Sequence, residues 1–116
     1  MAVKQREVGG IVIVSARGAF FGDRETDELD QALVGAGASG NVRCIVNLAE
    51  CESLNSVALG VLMRAYANYK GRGGELKLCC LGKRLKDLFT MTKLIMVFDH
   101  HDSEEEAIAA FIPSST

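Results

Sequence analysis

Ser56 is the side chain in this sequence best placed for regulated chemistry. It lies in Leu54–Leu62, where an apolar run gives way to helical spacing, so a loop is predicted to turn directly into a helix. The first N–H groups of a helix have no intrahelical acceptor, so hydroxyl and amide side chains are favoured there and a phosphate is stabilised. The position therefore suits phosphorylation of Ser56. The alternative is that Asn55 or Ser56 merely caps the helix.

The composition limits the classes of function. A length of 116 residues predicts a single domain over residues 1–116. The formal net charge of -2 and the absence of Trp favour neither a nucleic-acid partner nor an anionic membrane. No segment has the pattern of a secretion signal or a membrane span, so we expect a cytoplasmic protein. Its partner is expected to be another protein, and the chain a monomer or weak dimer.

No pattern for metal binding or catalysis is found. Cys44, Cys51, Cys79 and Cys80 lack the CxxC spacing of a zinc site, and the two adjacent cysteines are expected to point to opposite faces of a strand, so buried free thiols are the default. His100–His101 lacks a second ligand pair and is expected in a solvated loop. Because a Gly-rich phosphate loop and a Ser/His/Asp arrangement are also missing, we expect no cofactor, no metal and no enzymatic activity.

The strand pattern places the Ser56 segment after a buried strand. Residues 1–8 predict an edge strand that ends at a pair of glycines. Ile11–Ala16 is a β-branched run typical of a buried strand, and Cys44–Leu48 predicts a second one. A loop through Glu50 then leads to Ser56.

The first predicted helix follows a loop over residues 18–23. Asp23 or Thr26 can cap this helix, and three glycines mark its end. At least one of Phe20 and Phe21 is expected in the core, while an exposed one would offer a contact surface. The apolar positions of the helix share one face: Leu29, Ala32, Leu33 and Ala36.

The second predicted helix covers residues 57–70 and is expected to be packed along one side. Met63 and Tyr66 widen its apolar stripe. The stripe itself is formed by residues at helical spacing: Ala58, Val61, Leu62, Ala65 and Tyr69.

The rest of the chain continues the alternation of strand and helix. Glu75–Leu81 predicts a half-buried strand, Lys83–Met91 a short helix and Leu94–Phe98 a short strand. Ser103–Glu106 has the S-x-x-E form of a capping box and opens a terminal helix that Pro113 stops. This order predicts an α/β fold with a mixed, mostly parallel sheet of about five strands, one antiparallel edge hairpin and about four helices.

The whole order resembles the STAS domains of bacterial anti-sigma factor antagonists. The resemblance is strongest where Ile45–Leu48 is followed at fixed spacing by Asn55–Leu62. Further matching segments are Gly73–Leu76, Arg84–Phe89, Thr92–Leu94 and Ser103–Ala107.

The resemblance implies a signalling function in transcription regulation. In that family a motif of the form D-S-S/T-G carries a serine that a partner anti-sigma factor, itself a serine kinase, phosphorylates. The unphosphorylated antagonist binds the kinase and frees a sigma factor. Phosphorylation weakens this complex, and a phosphatase restores the unphosphorylated, binding-competent form. Ser56 falls on that serine. The implied partner-binding residues are Asp23, Asn55, Ser56, Val57, Ala58 and Gly60.

Three residues next to the serine depart from the family motif. Asn55 replaces the usual Asp, so it keeps the capping ability but loses a carboxylate. Val57 replaces the second hydroxyl residue and leaves Ser56 as the single acceptor. Ala58 replaces Gly, which favours the helix by about 1 kcal/mol and is expected to add a methyl group to the docking surface.

Two other functions remain as alternatives. STAS-like domains also occur as scaffold or accessory subunits of stressosome-type and lipid-transport complexes, where Ser56 would carry no phosphate switch. A nucleotide-binding enzyme ranks lowest, because none of its sequence motifs is found.

Overall fold

The computed structural model describes residues 2–38, 40 and 43–111, so the predicted stop at Pro113 lies outside the described residues. The α/β prediction is confirmed, with five strands and four α-helices among the described residues. In chain order the elements are β1 (Val3–Val8), β2 (Ile11–Phe20), α1 (Arg24–Ala38), β3 (Arg43–Leu54), α2 (Ser56–Gly71), β4 (Glu75–Cys79), α3 (Lys83–Met91), a 3-10 turn (Leu94–Met96), β5 (Asp99–His101) and α4 (Glu104–Phe111).

The five strands form one sheet in the order β1-β2-β3-β4-β5. β1 pairs antiparallel with β2, and every other pair is parallel, which confirms the predicted edge hairpin on a mostly parallel sheet. Parallel strands end at the same edge of a sheet, so the segments that follow β2, β3 and β4 come together there. Within the described residues, no helix is long and apolar enough to cross a membrane.

The two central strands are longer than predicted. The sequence suggested loops after Ala16 and Leu48, whereas β2 continues to Phe20 and β3 to Leu54. The two extensions pair with each other, with register shifts along β2, and this pairing satisfies backbone groups that a loop would leave to solvent. Long-range pairing therefore outweighs the glycine and charged side chains that suggested loops.

The prediction of a strand at Leu94–Phe98 is wrong. Lys93 adopts a left-handed conformation with φ of 65°, and a 3-10 turn follows. Phe98 is buried with its ring edge-on to Tyr66, at a centroid distance of 5.1 Å. The fifth strand is instead Asp99–His101, so the two histidines expected in a solvated loop lie half-buried in a strand.

Helices cover both faces of the sheet. The main core lies beneath α1, α2 and α3, and it contains the predicted apolar residues of α1, with Ala32 only partly buried. The Tyr69 hydroxyl joins α2 to α1 by donating to the Leu33 carbonyl over 2.9 Å. A second, smaller cluster lies beneath α4 and comprises Ile11, Ile13, Ile45, Cys79 and Ala107.

Polar contacts hold α4 on the second face. The Ser103 hydroxyl accepts a hydrogen bond from the Glu106 N–H at 3.1 Å, which is one half of the predicted capping box. The Glu106 carboxylate accepts from the Asp102 N–H at 3.3 Å, one residue before the position that the motif predicts. The Glu104 carboxylate accepts from Asn47 Nδ2 at 2.8 Å and pairs with the Arg6 guanidinium. The hydrogen bond from Arg6 lowers the pKa of Glu104.

Glu104→Gln is expected to lower the free energy of unfolding near neutral pH and to make that free energy fall less as the pH is lowered. Because the folded-state pKa of Glu104 is lowered, its stabilising effect is present above the ordinary value of 4.5 and is lost as the pH falls through the folded pKa. Arg6 is exposed to solvent, so the effect should be on the order of 0.5 kcal/mol. Urea unfolding at about pH 7 and about pH 3 measures it. Glu105→Gln is the control on the same helix turn, and identical pH dependence of the two variants would contradict the assignment.

Candidate phosphorylation and docking site

Asn55 caps α2 and leaves the Ser56 hydroxyl unused. The Asn55 side-chain oxygen accepts a hydrogen bond from the Ala58 N–H at 3.1 Å, and its carbonyl accepts from Leu59 N–H at 2.9 Å. Its backbone is extended, as a cap residue requires. Of the two predicted caps, Asn55 therefore fills the role, and Ser56 becomes the first residue of the helix with an exposed side chain.

The start of α2 can accept an anion. In the part of the chain that the structure describes, no acceptor is found for the backbone N–H groups of Ser56 and Val57. The first turn of α2 also contains no acidic residue that would offset the positive end of the helix dipole. A phosphate on Ser56 would therefore find two free donors and a favourable dipole within its own turn.

The loop between β2 and α1 packs beside this helix start. The Asn55 N–H donates to the Phe20 carbonyl at 3.0 Å. Gly22 has φ of +87°, and a Cβ on it would lie 3.3 Å from the Val57 side chain, so the close approach favours glycine. Asp23 follows directly and is exposed, which places this predicted residue at the same edge as Ser56.

Asp23 and Thr26 have different roles at the start of α1. Asp23 precedes the first helical residue, and its carbonyl accepts from the Asp27 N–H at 3.0 Å. Thr26 is buried within the helix, and its hydroxyl accepts from the Gly22 N–H at 2.8 Å. Of the two predicted caps, Asp23 therefore holds the cap position, while Thr26 fixes the loop.

Exposed apolar side chains lie on the two segments that meet at the serine, the loop before α1 and the outer side of α2. Phe21 is 56% exposed, Val57 is 54% exposed and Met63 is 45% exposed. Half-buried Gly60 lies between the last two on the outer side of α2. We call Phe21, Ser56, Val57, Gly60 and Met63 the docking surface. The sequence pattern predicts Met63 at the margin of the packed stripe, whereas its side chain is exposed. Its spacing of three residues from Gly60 also fits the outer side.

Ala58 does not belong to the docking surface. Its side chain is fully buried in the main core, so the expectation that its methyl group faces a partner is wrong. The third residue of α2 faces inward because the cap at Asn55 sets the rotation of the first turn. Ala58 instead contributes helix propensity and a small side chain where α2 packs on the sheet.

The STAS domain family model matches residues 2–107 of the chain. The chain belongs to the STAS family. It is 23% identical over 111 residues to BtrV of Bordetella bronchiseptica, a protein described as a candidate anti-sigma factor antagonist, and the match covers 96% of this chain and 95% of that relative.

Solved STAS structures share the architecture. A Thermotoga maritima protein described as a candidate anti-sigma factor antagonist superposes with a TM-score of 0.86 at 17% identity, covering 93% of this chain and 92% of that one. The Bacillus cell fate determinant SpoIIAA in its phosphorylated form gives a TM-score of 0.75 at 17% identity, with 96% and 100% of the two chains covered. These likenesses establish the STAS fold for this chain.

Asn55→Ala is expected to reduce the free energy of unfolding by about 1 kcal/mol, because the Ala58 N–H loses its acceptor. Asn55→Asp keeps the acceptor and adds a charge that favours the helix N-terminus, so it should be at least as stable as the wild type. Urea unfolding at neutral pH compares the two. Asn68→Ala, on the exposed side of α2, is the control for the substitution itself, and equal stabilities of the two alanine variants would contradict the capping role.

Proposed function

We propose that this STAS protein is an anti-sigma factor antagonist that binds an anti-sigma factor serine kinase and is released when Ser56 is phosphorylated. The observation that carries the proposal is the exposed Ser56 hydroxyl at the first residue of α2, with apolar side chains around it. The resemblance to antagonists, including one solved in its phosphorylated form, supports the same function.

The docking surface has the composition that protein interfaces use. Phe21, Val57 and Met63 supply exposed apolar area, and aromatic residues and Met are enriched where partners bury a surface. Half-buried Gly60 lets a partner approach the backbone of α2 closely. Asp23, at the edge of this surface, offers a carboxylate to a basic group of the kinase, a role that Asn55 no longer fills.

Phosphorylation would act on the surface and not on the core. A phosphate adds close to two negative charges in the middle of the apolar contact, where a bound partner would have to desolvate them. The free N–H groups of Ser56 and Val57 can hold the phosphate without any rearrangement of α2. The kinase complex would therefore weaken, the sigma factor would be recaptured, and a phosphatase would reset the antagonist.

Incubation with a candidate kinase from a neighbouring gene and ATP should add one phosphate, on Ser56. Phosphorylation should weaken binding roughly thirtyfold, equivalent to about 2 kcal/mol of lost interface energy. Ser56→Ala should bind the kinase constitutively with near wild-type affinity, and Ser56→Asp should bind poorly. Phosphopeptide mapping and titration calorimetry measure the two effects.

Ser53→Ala is the matched control, since Ser53 is a partly buried serine three residues earlier in β3. It should be phosphorylated like the wild type. A phosphate on another residue, or equal binding by the alanine and aspartate variants of Ser56, would refute the switch. Recovery of a transporter or a large STAS assembly in place of a kinase would favour the scaffold function.

Phe21→Ala is expected to reduce affinity for the kinase about tenfold, because an exposed aromatic side chain at the centre of an interface contributes strongly to binding. Its fold should be unaffected, since Phe21 is outside the core. Met91→Ala removes a side chain that is 83% exposed at the end of α3, and it should leave affinity unchanged. Equal losses in both variants would show that binding does not use the docking surface.

A further inference from the structure

Cys79 and Cys80 lie on the same side of the chain, contrary to the sequence expectation. Their Sγ atoms are 3.5 Å apart. Side chains of consecutive strand residues point to opposite faces, but β4 ends at Cys79, and Cys80 adopts a left-handed conformation with φ of 65°. Non-glycine residues rarely adopt this conformation. The backbone turn brings the two thiols together.

The two thiols differ in access. Cys79 is fully buried in the cluster beneath α4, and burial raises the pKa of its thiol. Cys80 packs at the margin of the same cluster and is half-buried, so it is the more accessible of the two residues. A small oxidant can therefore react with Cys80 first, while the Cys79 sulfur lies within contact distance of it.

The other two cysteines lack such a partner. Cys44 is fully buried, and burial raises its thiol pKa to about 12. Cys51 is also buried, burial raises its thiol pKa to about 11, and its Sγ faces the Ser53 carbonyl. They therefore serve as internal controls for thiol chemistry.

We propose that Cys79 and Cys80 form a reversible oxidation site, a vicinal dithiol that peroxide converts to a disulfide within the chain. The Cys80 thiolate attacks one peroxide oxygen, forming a sulfenic acid and releasing hydroxide. The Cys79 sulfur then attacks the Cys80 sulfur, the S–S bond forms and the sulfenic oxygen leaves as water. Two thiols are oxidised by two electrons, and the peroxide is reduced to two waters.

The adjacency of the residues makes this disulfide easy to reduce. Consecutive Cα atoms are about 3.8 Å apart, closer than the ~4.4 Å minimum usual for disulfide-linked residues, so the bond would be strained. Strained disulfides are the labile ones that thiol reductants reverse. Formation of the disulfide would also rotate the peptide group between Cys79 and Cys80. The N–H of this group donates to the His101 carbonyl at 3.0 Å, so its rotation would loosen β5 at the end of the sheet.

The test begins with peroxide treatment of the folded, fully reduced protein. After the peroxide is removed, the protein is denatured in the presence of N-ethylmaleimide, which alkylates the remaining free thiols, and it is then digested and analysed by mass spectrometry. Tryptic cleavage after Lys77 and Lys83 places both cysteines in one short peptide. We expect that peptide to lose two hydrogens and to carry no maleimide, while Cys44 and Cys51 are alkylated. Dithiothreitol should restore both thiols.

Variants separate this reaction from general oxidation. Cys80→Ser should abolish the disulfide, and Cys51→Ala should leave it unchanged. In Cys79→Ala, Cys80 should proceed to sulfinic acid about tenfold faster than in the wild type, because the resolving thiol is gone. Circular dichroism checks that each variant is folded. If Cys79→Ala does not fold, the comparison of Cys80→Ser with the wild type still tests whether the disulfide forms.

Three outcomes would overturn the proposal. The first is sulfinic acid on wild-type Cys80 at the rate seen in Cys79→Ala. The second is an intramolecular disulfide that persists in Cys80→Ser. The third is oxidation only to disulfide-linked dimers. None of these results bears on Ser56, so this proposal and the phosphorylation switch can fail separately.

Discussion

The pairing of β2 with β3 up to their last residues is the constraint on which the candidate site depends. Phe20 pairs with Leu54, and the next residue, Asn55, donates its N–H to the Phe20 carbonyl. This contact fixes where β3 stops and where α2 can begin. Because Asn55 then caps the helix, the rotation of the first turn is set, and Ser56 must point outward while Ala58 points inward.

The burial of α2 explains how one helix can stabilise the fold and also carry the proposed docking surface. Its inner side is part of the main core, and Tyr69 ties its far end to α1. Its outer side carries Val57 and Met63, which contribute little to the core. A change of charge on the outer side would therefore act at the proposed docking surface, while the packed inner side keeps the helix in place.

The second face of the sheet is chemically separate from the first. There α4 covers a small apolar cluster and is held by the Glu104 contacts with Arg6 and Asn47. The vicinal thiols belong to this face, whereas Ser56 lies on a helix of the other face. A sheet with helices on both sides can thus present two sites without one disturbing the packing of the other.

The sequence by itself determined the fold class, the order of the elements, the α4 capping box and Ser56 as the candidate switch. These features follow from local spacing, because periodicity and helix capping need only a few neighbouring residues. The close match of α3 to its predicted bounds, Lys83–Met91, has the same origin.

Only the tertiary structure decided the lengths of β2 and β3, the 3-10 turn in place of a strand at Leu94–Phe98 and the burial of Ala58. It also brought Gly22 against Val57 and the thiol of Cys80 against that of Cys79. These outcomes depend on partners distant in sequence or on a single left-handed residue, and neither leaves a periodic trace in the chain.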